Sequence, residues 1–398
     1  MKVSIQKKLI LMYLFFYGGY VAFFPFLSTY AIKYGYTSSD IGTMGIFIAL
    51  INFSSMFTTR YFSKKITLRK QMIRYLFFSI IFTSLFYFCA QKLRMVILAV
   101  VPVTFFDFSM FSLLDSYVIK ASLSDSKIKY SDMRLVASIT GMFGTALYGR
   151  CYYKCGISTM IYIHAILMMA AFLCAIRLPD DVNQKKEKIL TDIVEEGKKD
   201  SLKMNKKIFG ILFSGACIFI GWREILGFLP VMILDKGGSS QDVGVYNSVI
   251  SMATMIAFAI YPILRRRFSI YQLMIFGAVT MGIRLILICL VSSVPMLITI
   301  QSLELFSYGF IQQSVMELIP IISAKNQILS VVTIWTGVQM ALCSLLANGF
   351  TTLMLKKITL KNIFFIIFVV EVIGTLFLIY TMNKLKKEKE YYGALQED

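Results

Sequence analysis

Charge is scarce in this chain. Only 16% of its 398 residues are Asp, Glu, Lys or Arg, against 57% hydrophobic and 15% aromatic. With a mean hydropathy of +0.71, there is too little polar surface to cover a water-soluble globule, which leaves a polytopic membrane protein. Histidine occurs once, at His164, and the seven cysteines are scattered through apolar stretches. No cluster has metal-ligand spacing, no nucleophile stands in a triad and no glycine-rich loop is built to cradle a phosphate. An enzyme, a metal site and an organic cofactor are therefore not expected. Cys151 and Cys155 are one helical turn apart, but without His or acidic company they read as packing residues. His164 reads as a satisfied buried side chain. A cleavable signal peptide is not expected either: Lys2, Lys7 and Lys8 lead into an apolar run too long for one, with no small-residue cleavage site after it.

Acidic residues are outnumbered 22 to 41 by Lys and Arg, a formal net charge of +19. In a soluble protein this would suggest nucleic acid. Here the basic residues sit between apolar runs, as in cytoplasmic loops, so the partner is a lipid bilayer and not nucleic acid. Twelve runs reach the length of about 20 residues that a spanning helix needs: 9–31, 40–62, 72–90, 94–119, 133–153, 157–177, 207–234, 241–264, 270–291, 295–322, 327–354 and 361–382. The basic residues concentrate in alternate loops: Arg60, Lys64, Lys65, Arg69, Lys70 and Arg74; Lys120, Lys127 and Lys129; the stretch 185–207; Arg265, Arg266 and Arg267; and Lys384 to Lys389. The intervening loops hold fewer. Both termini are expected in the cytoplasm, with the protein in the plasma membrane.

The stretch 178–206 is the one long polar interruption, and it splits the spans six and six. The expected organisation is an N-terminal bundle (1–177), a cytoplasmic linker (178–206), a C-terminal bundle (207–382) and a tail (383–398). The halves also echo each other. Lys33-Tyr34-Gly35-Tyr36-Thr37-Ser38-Ser39-Asp40-Ile41-Gly42 resembles Asp235-Lys236-Gly237-Gly238-Ser239-Ser240-Gln241-Asp242-Val243-Gly244, each with a proline upstream, Pro25 and Pro230. Such a repeat implies two similar six-helix bundles with a solute site between them near mid-depth. The polar turn before the second helix of each half is expected to cap that helix.

A charge at the centre of a spanning helix costs about 2.5–3.5 kcal/mol on insertion scales, so intramembrane charges mark sites. Asp107, Asp115 and Arg134 are the first such group, Asp115 and Arg134 being the first candidate pair. Asp107 lies eight residues before Asp115, about 80° around a helix. Arg223 and Glu224 are adjacent and point apart, so either is free to meet Arg284 or Glu304 on another span. Glu304 is the candidate proton-carrying carboxylate; a fixed bridge to an arginine is the alternative. Glu317 and Glu371 read as structural. Tyr13, Phe16, Tyr17, Tyr20 and Phe24 recur at helical spacing in the first span; most such stripes are packing, but Tyr17, Tyr20 and Phe24 are placed to stack on a ring.

Twelve spans, a six-plus-six repeat and a charged central stretch resemble the major facilitator superfamily over nearly the whole chain. Within it, the chain looks most like the branch of lactose permease, the oligosaccharide:proton symporters and the related nucleoside and phenylpropionate permeases. The stretch Tyr20-Val21-Ala22-Phe23-Phe24-Pro25 resembles that branch's aromatic, proline-bearing first helix. Leu114-Asp115-Ser116-Tyr117 falls where the branch carries a substrate-binding acid, and Tyr130-Ser131-Asp132-Met133-Arg134 falls on its Tyr-Gly-Arg-x-Arg segment. Arg284 matches an arginine involved in proton coupling. In span ten Glu304 replaces a His and Ser307 replaces the proton-releasing carboxylate. The resemblance implies an all-α membrane protein with twelve transmembrane helices in two six-helix bundles, working as a monomer.

The expected function is a secondary active permease that moves a small organic solute by alternating access, coupled to H+. Asp115, Arg134, Asp107, Tyr20 and Phe24 would bind the solute, while Glu304, Arg284, Arg223 and Glu224 would link it to protonation. Two other readings are a drug or peptide efflux pump of the same fold and a non-transporting membrane sensor or assembly partner.

Overall fold

The computed structural model describes residues 5–63, 65–89, 95–124, 128–179, 206–323 and 327–394. The expected linker 178–206 lies almost wholly outside them, as do residues 395–398 of the tail. Among the described residues the chain is helical and contains no strand. The helices are α1 (Ile5–Phe23), α2 (Leu27–Lys33), α3 (Ser38–Ser63), α4 (Leu68–Cys89), α5 (Val96–Ser124), α6 (Tyr130–Cys155), α7 (Thr159–Ile176), α8 (Lys206–Asp235), α9 (Ser240–Leu264), α10 (Ile270–Leu290), α11 (Val294–Ile300), α12 (Tyr308–Ile322), α13 (Ile328–Gly337), α14 (Cys343–Met354) and α15 (Leu360–Ala394). Each of the twelve expected spans falls on one of these helices or on a pair joined by a short irregular turn. Among the described residues, eleven stretches are long and apolar enough to cross a bilayer. The exception, α6, is long enough at 26 residues but carries Asp132, Arg134, Arg150 and Lys154. Large apolar side chains face outward along the helices, among them Phe88, Phe143 and Ile166, each about two-thirds exposed or more. A water-facing surface would not carry such a belt, and a lipid-facing one requires it.

Among the described residues, three spans depart from regular α-helix. In the first, Pro25 lacks an N–H and the chain tightens to a 3-10 turn over Phe24–Phe26. The Tyr152 hydroxyl donates to the nearby Ala22 carbonyl at 2.7 Å. In span ten a 3-10 segment, Gln301–Leu305, separates α11 from α12. In span eleven α13 and α14 are joined by a π-helical turn, Val338–Leu342, whose Gln339 carbonyl accepts from Arg223 Nε at 3.0 Å.

The repeated turns adopt the same atomic arrangement. Asp40 Oδ2 accepts from the Thr37 N–H at 2.9 Å and from the Thr37 hydroxyl at 2.7 Å. Asp242 Oδ2 accepts from the Ser239 N–H and hydroxyl, both at 2.7 Å. Five residues before each aspartate a glycine takes positive φ, Gly35 at 80° and Gly237 at 82°, a conformation that L side chains resist.

The chain divides into two compact units. The first comprises Met1–Lys188, Gly227–Met252 and Ser293–Ile298; the second comprises Ile189–Leu226, Ala253–Ser292 and Thr299–Asp398. The core of the first packs α1, α4, α5, α6 and α7 around Phe16, Met72, Leu76, Met110, Leu114 and Met133. In the second, Ala257, Tyr261, Leu273 and Phe310 form a buried cluster.

Candidate functional site

In the first unit, α5 and α6 bring Asp115 and Arg134 to 3.8 Å between Oδ2 and Nη1. This is too long for a hydrogen bond, and tyrosines take up the slack. Tyr13 donates to Asp115 Oδ1 at 2.7 Å, Tyr130 donates to Oδ2 at 3.0 Å, and Arg134 Nη1 donates to the Tyr17 oxygen at 2.9 Å. The local reasons are helical spacing: Tyr13 and Tyr17 are four apart on α1, Tyr130 and Arg134 four apart on α6, so each pair shares a face. The Arg134 side chain is 52% exposed and that of Asp115 25%, so the pair is held in place by phenols while remaining open on one side. Beyond it runs an aromatic wall. Tyr13 stacks on Tyr17 at 5.5 Å, Tyr17 meets Phe111 at 5.2 Å, Phe111 meets Tyr20 at 4.8 Å, and Tyr20 stacks on Phe24 at 4.9 Å with Phe108 at their edges. Hydroxyls, a guanidinium and a carboxylate at one end and ring faces along the side suit a solute that carries both hydrogen-bonding groups and a flat or apolar body.

In the second unit, Arg284 and Glu304 form a fully buried ion pair. Arg284 also gives Nε and Nη2 to Gln301 Oε1 at 2.8 and 2.6 Å, while Glu304 accepts from Trp222 Nε1 at 2.9 Å and from the Ser307 hydroxyl at 3.3 Å. Burying both charges is tolerable only because each is paired and further hydrogen-bonded. The 3-10 break places Gln301 and Glu304 on one side, three residues apart, where both reach the one guanidinium. Trp222 in turn stacks on Tyr308 at 4.3 Å with the planes 8° apart, and the Arg223 guanidinium lies 4.7 Å from the Trp222 ring. Glu224 faces elsewhere: fully buried, both its oxygens accept from the Thr351 hydroxyl at 2.9 Å, and among the described residues no ion pair reaches it.

The structure thus groups Asp115, Arg134, Tyr20 and Phe24 along one face, and Arg284 with Glu304. Asp107 is set apart from the Asp115 cluster and fully buried, with Ser79 and His164 as neighbours. Four contributors escaped the reading of the charges alone: Tyr13 and Tyr130 as donors to Asp115, and Gln301 and Trp222 around the Arg284–Glu304 pair. The spacing of Tyr130 and Arg134 was a usable signal; the convergence on Glu304 from α8 and α10 was not. Glu317 bonds Arg265 at 2.8 Å near the end of α12, and Glu371 accepts from Thr375 at 2.6 Å on its own helix. Among the described residues no His, Cys, Asp or Glu group could hold a metal ion.

Residues 7–346 match the sequence model of the MFS_1-like family. Among solved structures, the chain is similar to a mutant form of the nucleoside transporter NupG, with a TM-score of 0.79 at 11% identity, covering 95% of this chain and 100% of that one. It is similar to a bacterial homologue of the iron transporter ferroportin in its inward-facing state, with a TM-score of 0.74, 12% identity, and coverage of 96% and 99%. It is also similar to a POT family transporter in complex with a thioalcohol-conjugated peptide, with a TM-score of 0.74, 12% identity, and coverage of 96% of each chain. No curated protein sequence is a significant match.

Proposed function

This chain belongs to the MFS_1-like family, and on that footing we propose that it is a secondary transporter that carries a small polar organic solute by alternating access, coupled to protons. The observation that carries the solute assignment is the loosely paired, half-open Asp115–Arg134 couple, held by three tyrosines at the end of an aromatic wall. A tight bridge would have closed on itself; at 3.8 Å both charges keep bonding capacity for a ligand. Asp115 and Arg134 orient its hydroxyl, amide or carboxylate groups, and Tyr20 and Phe24 pack on its body. That similar folds carry nucleosides and peptides supports a solute of this mixed character. Glu304, Arg284, Arg223 and Glu224 are the proposed coupling set, with Glu224 the carboxylate least constrained by a cation. The protein sits in the plasma membrane as a monomer, with both termini in the cytoplasm.

The test is flux in proteoliposomes under an imposed pH gradient, screened over sugars, nucleosides, aromatic acids and short peptides. Uptake that rises with inward-directed protons and is lost in Asp115→Asn supports the reading. If Asp115→Asn and Arg134→Lys both carry an identified solute as the wild type does, the site is misassigned. Flux directed outward, with resistance to a toxic compound, would make the protein an efflux pump. No flux of any solute, with a partner co-purifying in fixed ratio, would make it a membrane sensor.

A further inference from the structure

His164 and Asp107 meet inside the first unit at 3.3 Å between Nε2 and Oδ2, both side chains fully buried. Their remaining polar atoms define which of them must carry hydrogen. His164 Nδ1 lies 2.9 Å from the Gly19 carbonyl, and a carbonyl oxygen can only accept, so Nδ1 is the protonated nitrogen. On the other side the Ser79 hydroxyl donates to Asp107 Oδ1 at 2.5 Å. That leaves Nε2 and Oδ2, which have no hydrogen-bond partner and stand 3.3 Å apart. A neutral imidazole would present a lone pair there and an ionised carboxylate would present another. Two facing lone pairs with a net negative charge, in a helix bundle buried from water, are what burial most strongly opposes.

From this we propose that Asp107 and His164 form a proton-binding site, holding one proton between Nε2 and Oδ2 in addition to the proton on Nδ1. The pair is then electrically neutral whichever atom holds the shared proton. The site draws on four helices: Gly19 on α1, Ser79 on α4, Asp107 on α5 and His164 on α7. Its occupancy is therefore linked to their packing, since departure of the proton leaves an uncompensated charge at their common contact. Among the described residues no other charged side chain bonds either group. Phe23 of α1 covers the imidazole at 4.9 Å. The charged side chains of these helices lie elsewhere along them: Lys7 and Lys8 at the start of α1, Arg69, Lys70 and Arg74 in the first turns of α4, and Asp115 and Lys120 of α5, the nearer of these about 12 Å further along its axis. Tyr13 and Tyr17 of α1 and Tyr75 of α4 are engaged with other groups, Tyr13 with Asp115, Tyr17 with Arg134 and Tyr75 with Gln71. The site lies in a different unit from the Arg284–Glu304 cluster, and it stands whether or not a solute moves with the proton.

The experiment needs no substitution, because His164 is the chain's only histidine. Purified protein carrying 15N-histidine and 13C-carboxyl aspartate is examined by nuclear magnetic resonance at pH 7.5. The expected result is a protonated Nδ1 together with one further proton, seen either as a protonated Nε2 or as one aspartate in the acid form. A protonated Nε2 with a bare Nδ1 would overturn the proposal, and so would a neutral imidazole with every aspartate ionised. Neither readout involves transport, so its outcome is independent of whether a solute is ever found.

Discussion

Asp115 and Glu304 are both carboxylates in spanning helices next to an arginine, yet their surroundings assign them opposite behaviour. Asp115 is held by two phenol hydroxyls and stands 3.8 Å from its arginine. Replacing it by Asn keeps the shape but leaves only one oxygen to accept, so either Tyr13 or Tyr130 loses its partner and Arg134 loses its counter-charge. Asp115→Asn is expected to weaken binding of a transported solute at least tenfold while changing thermal stability little, because the site is partly open to water; a ligand-induced melting shift measures the first and the melting point alone the second. Glu304 has no such freedom. Glu304→Gln strands the Arg284 guanidinium in a fully buried position, and breaking a buried pair from one side typically costs about 3–5 kcal/mol. The single variant is expected to melt well below the wild type, and Glu304→Gln combined with Arg284→Met to recover much of the loss. A double variant that melts no higher than the single one would show that the pair is not the unit of stability.

At the scale of elements, the repeated turn makes a sharper test than any one contact, because the same arrangement occurs twice, 202 positions apart. Asp40 and Asp242 each close a turn by accepting from the N–H and hydroxyl of the residue three before, and each turn is entered through a positive-φ glycine. Asp40→Ala and Asp242→Ala are expected to destabilise by similar amounts, about 1 kcal/mol each, and Gly35→Ala and Gly237→Ala by about 1–2 kcal/mol; denaturation of the purified variants checks both. A large effect at one copy and none at the other would mean that the likeness is only sequential. Much of this was legible in advance. Span length and hydropathy are local quantities, so the twelve runs emerge from the order of residues, α6 included, although its charges dilute its hydropathy. The Asp115–Arg134 pairing was legible too, since the two charges stand at matching depths on consecutive spans. What could not be read is convergence between helices distant in sequence. Gln301 and Trp222 reach the Arg284–Glu304 pair only because span ten breaks into a 3-10 turn, and His164 meets Asp107 only through the packing of α4, α5 and α7. No periodicity within a single helix encodes either meeting.

For the whole molecule, the distribution of Lys and Arg is the ground for the proposed topology, and the fold makes that topology testable with a residue already present. A helix of 26 residues such as α6 is about 39 Å long and clears a hydrocarbon core of about 30 Å. Its two ends, Tyr130 after the basic 127–129 loop and Cys155 before Gly156, therefore lie on opposite sides. The proposed topology, read from the even alternation of basic and poorly basic loops, would put Lys129 and the Arg265–Arg267 cluster on the same, cytoplasmic side and Cys155 outside. Cys155 is the one cysteine classed as exposed among those described; Cys89, at the corresponding end of α4, is partly buried. A membrane-impermeant maleimide added to intact cells is expected to label the protein, and Cys155→Ser to remove most of the signal. A cysteine introduced by Arg266→Cys in that background should react only after the membrane is opened. The reverse pattern, Cys155 silent until permeabilisation and the Arg266→Cys variant labelled from outside, would invert the topology and move both termini out of the cytoplasm.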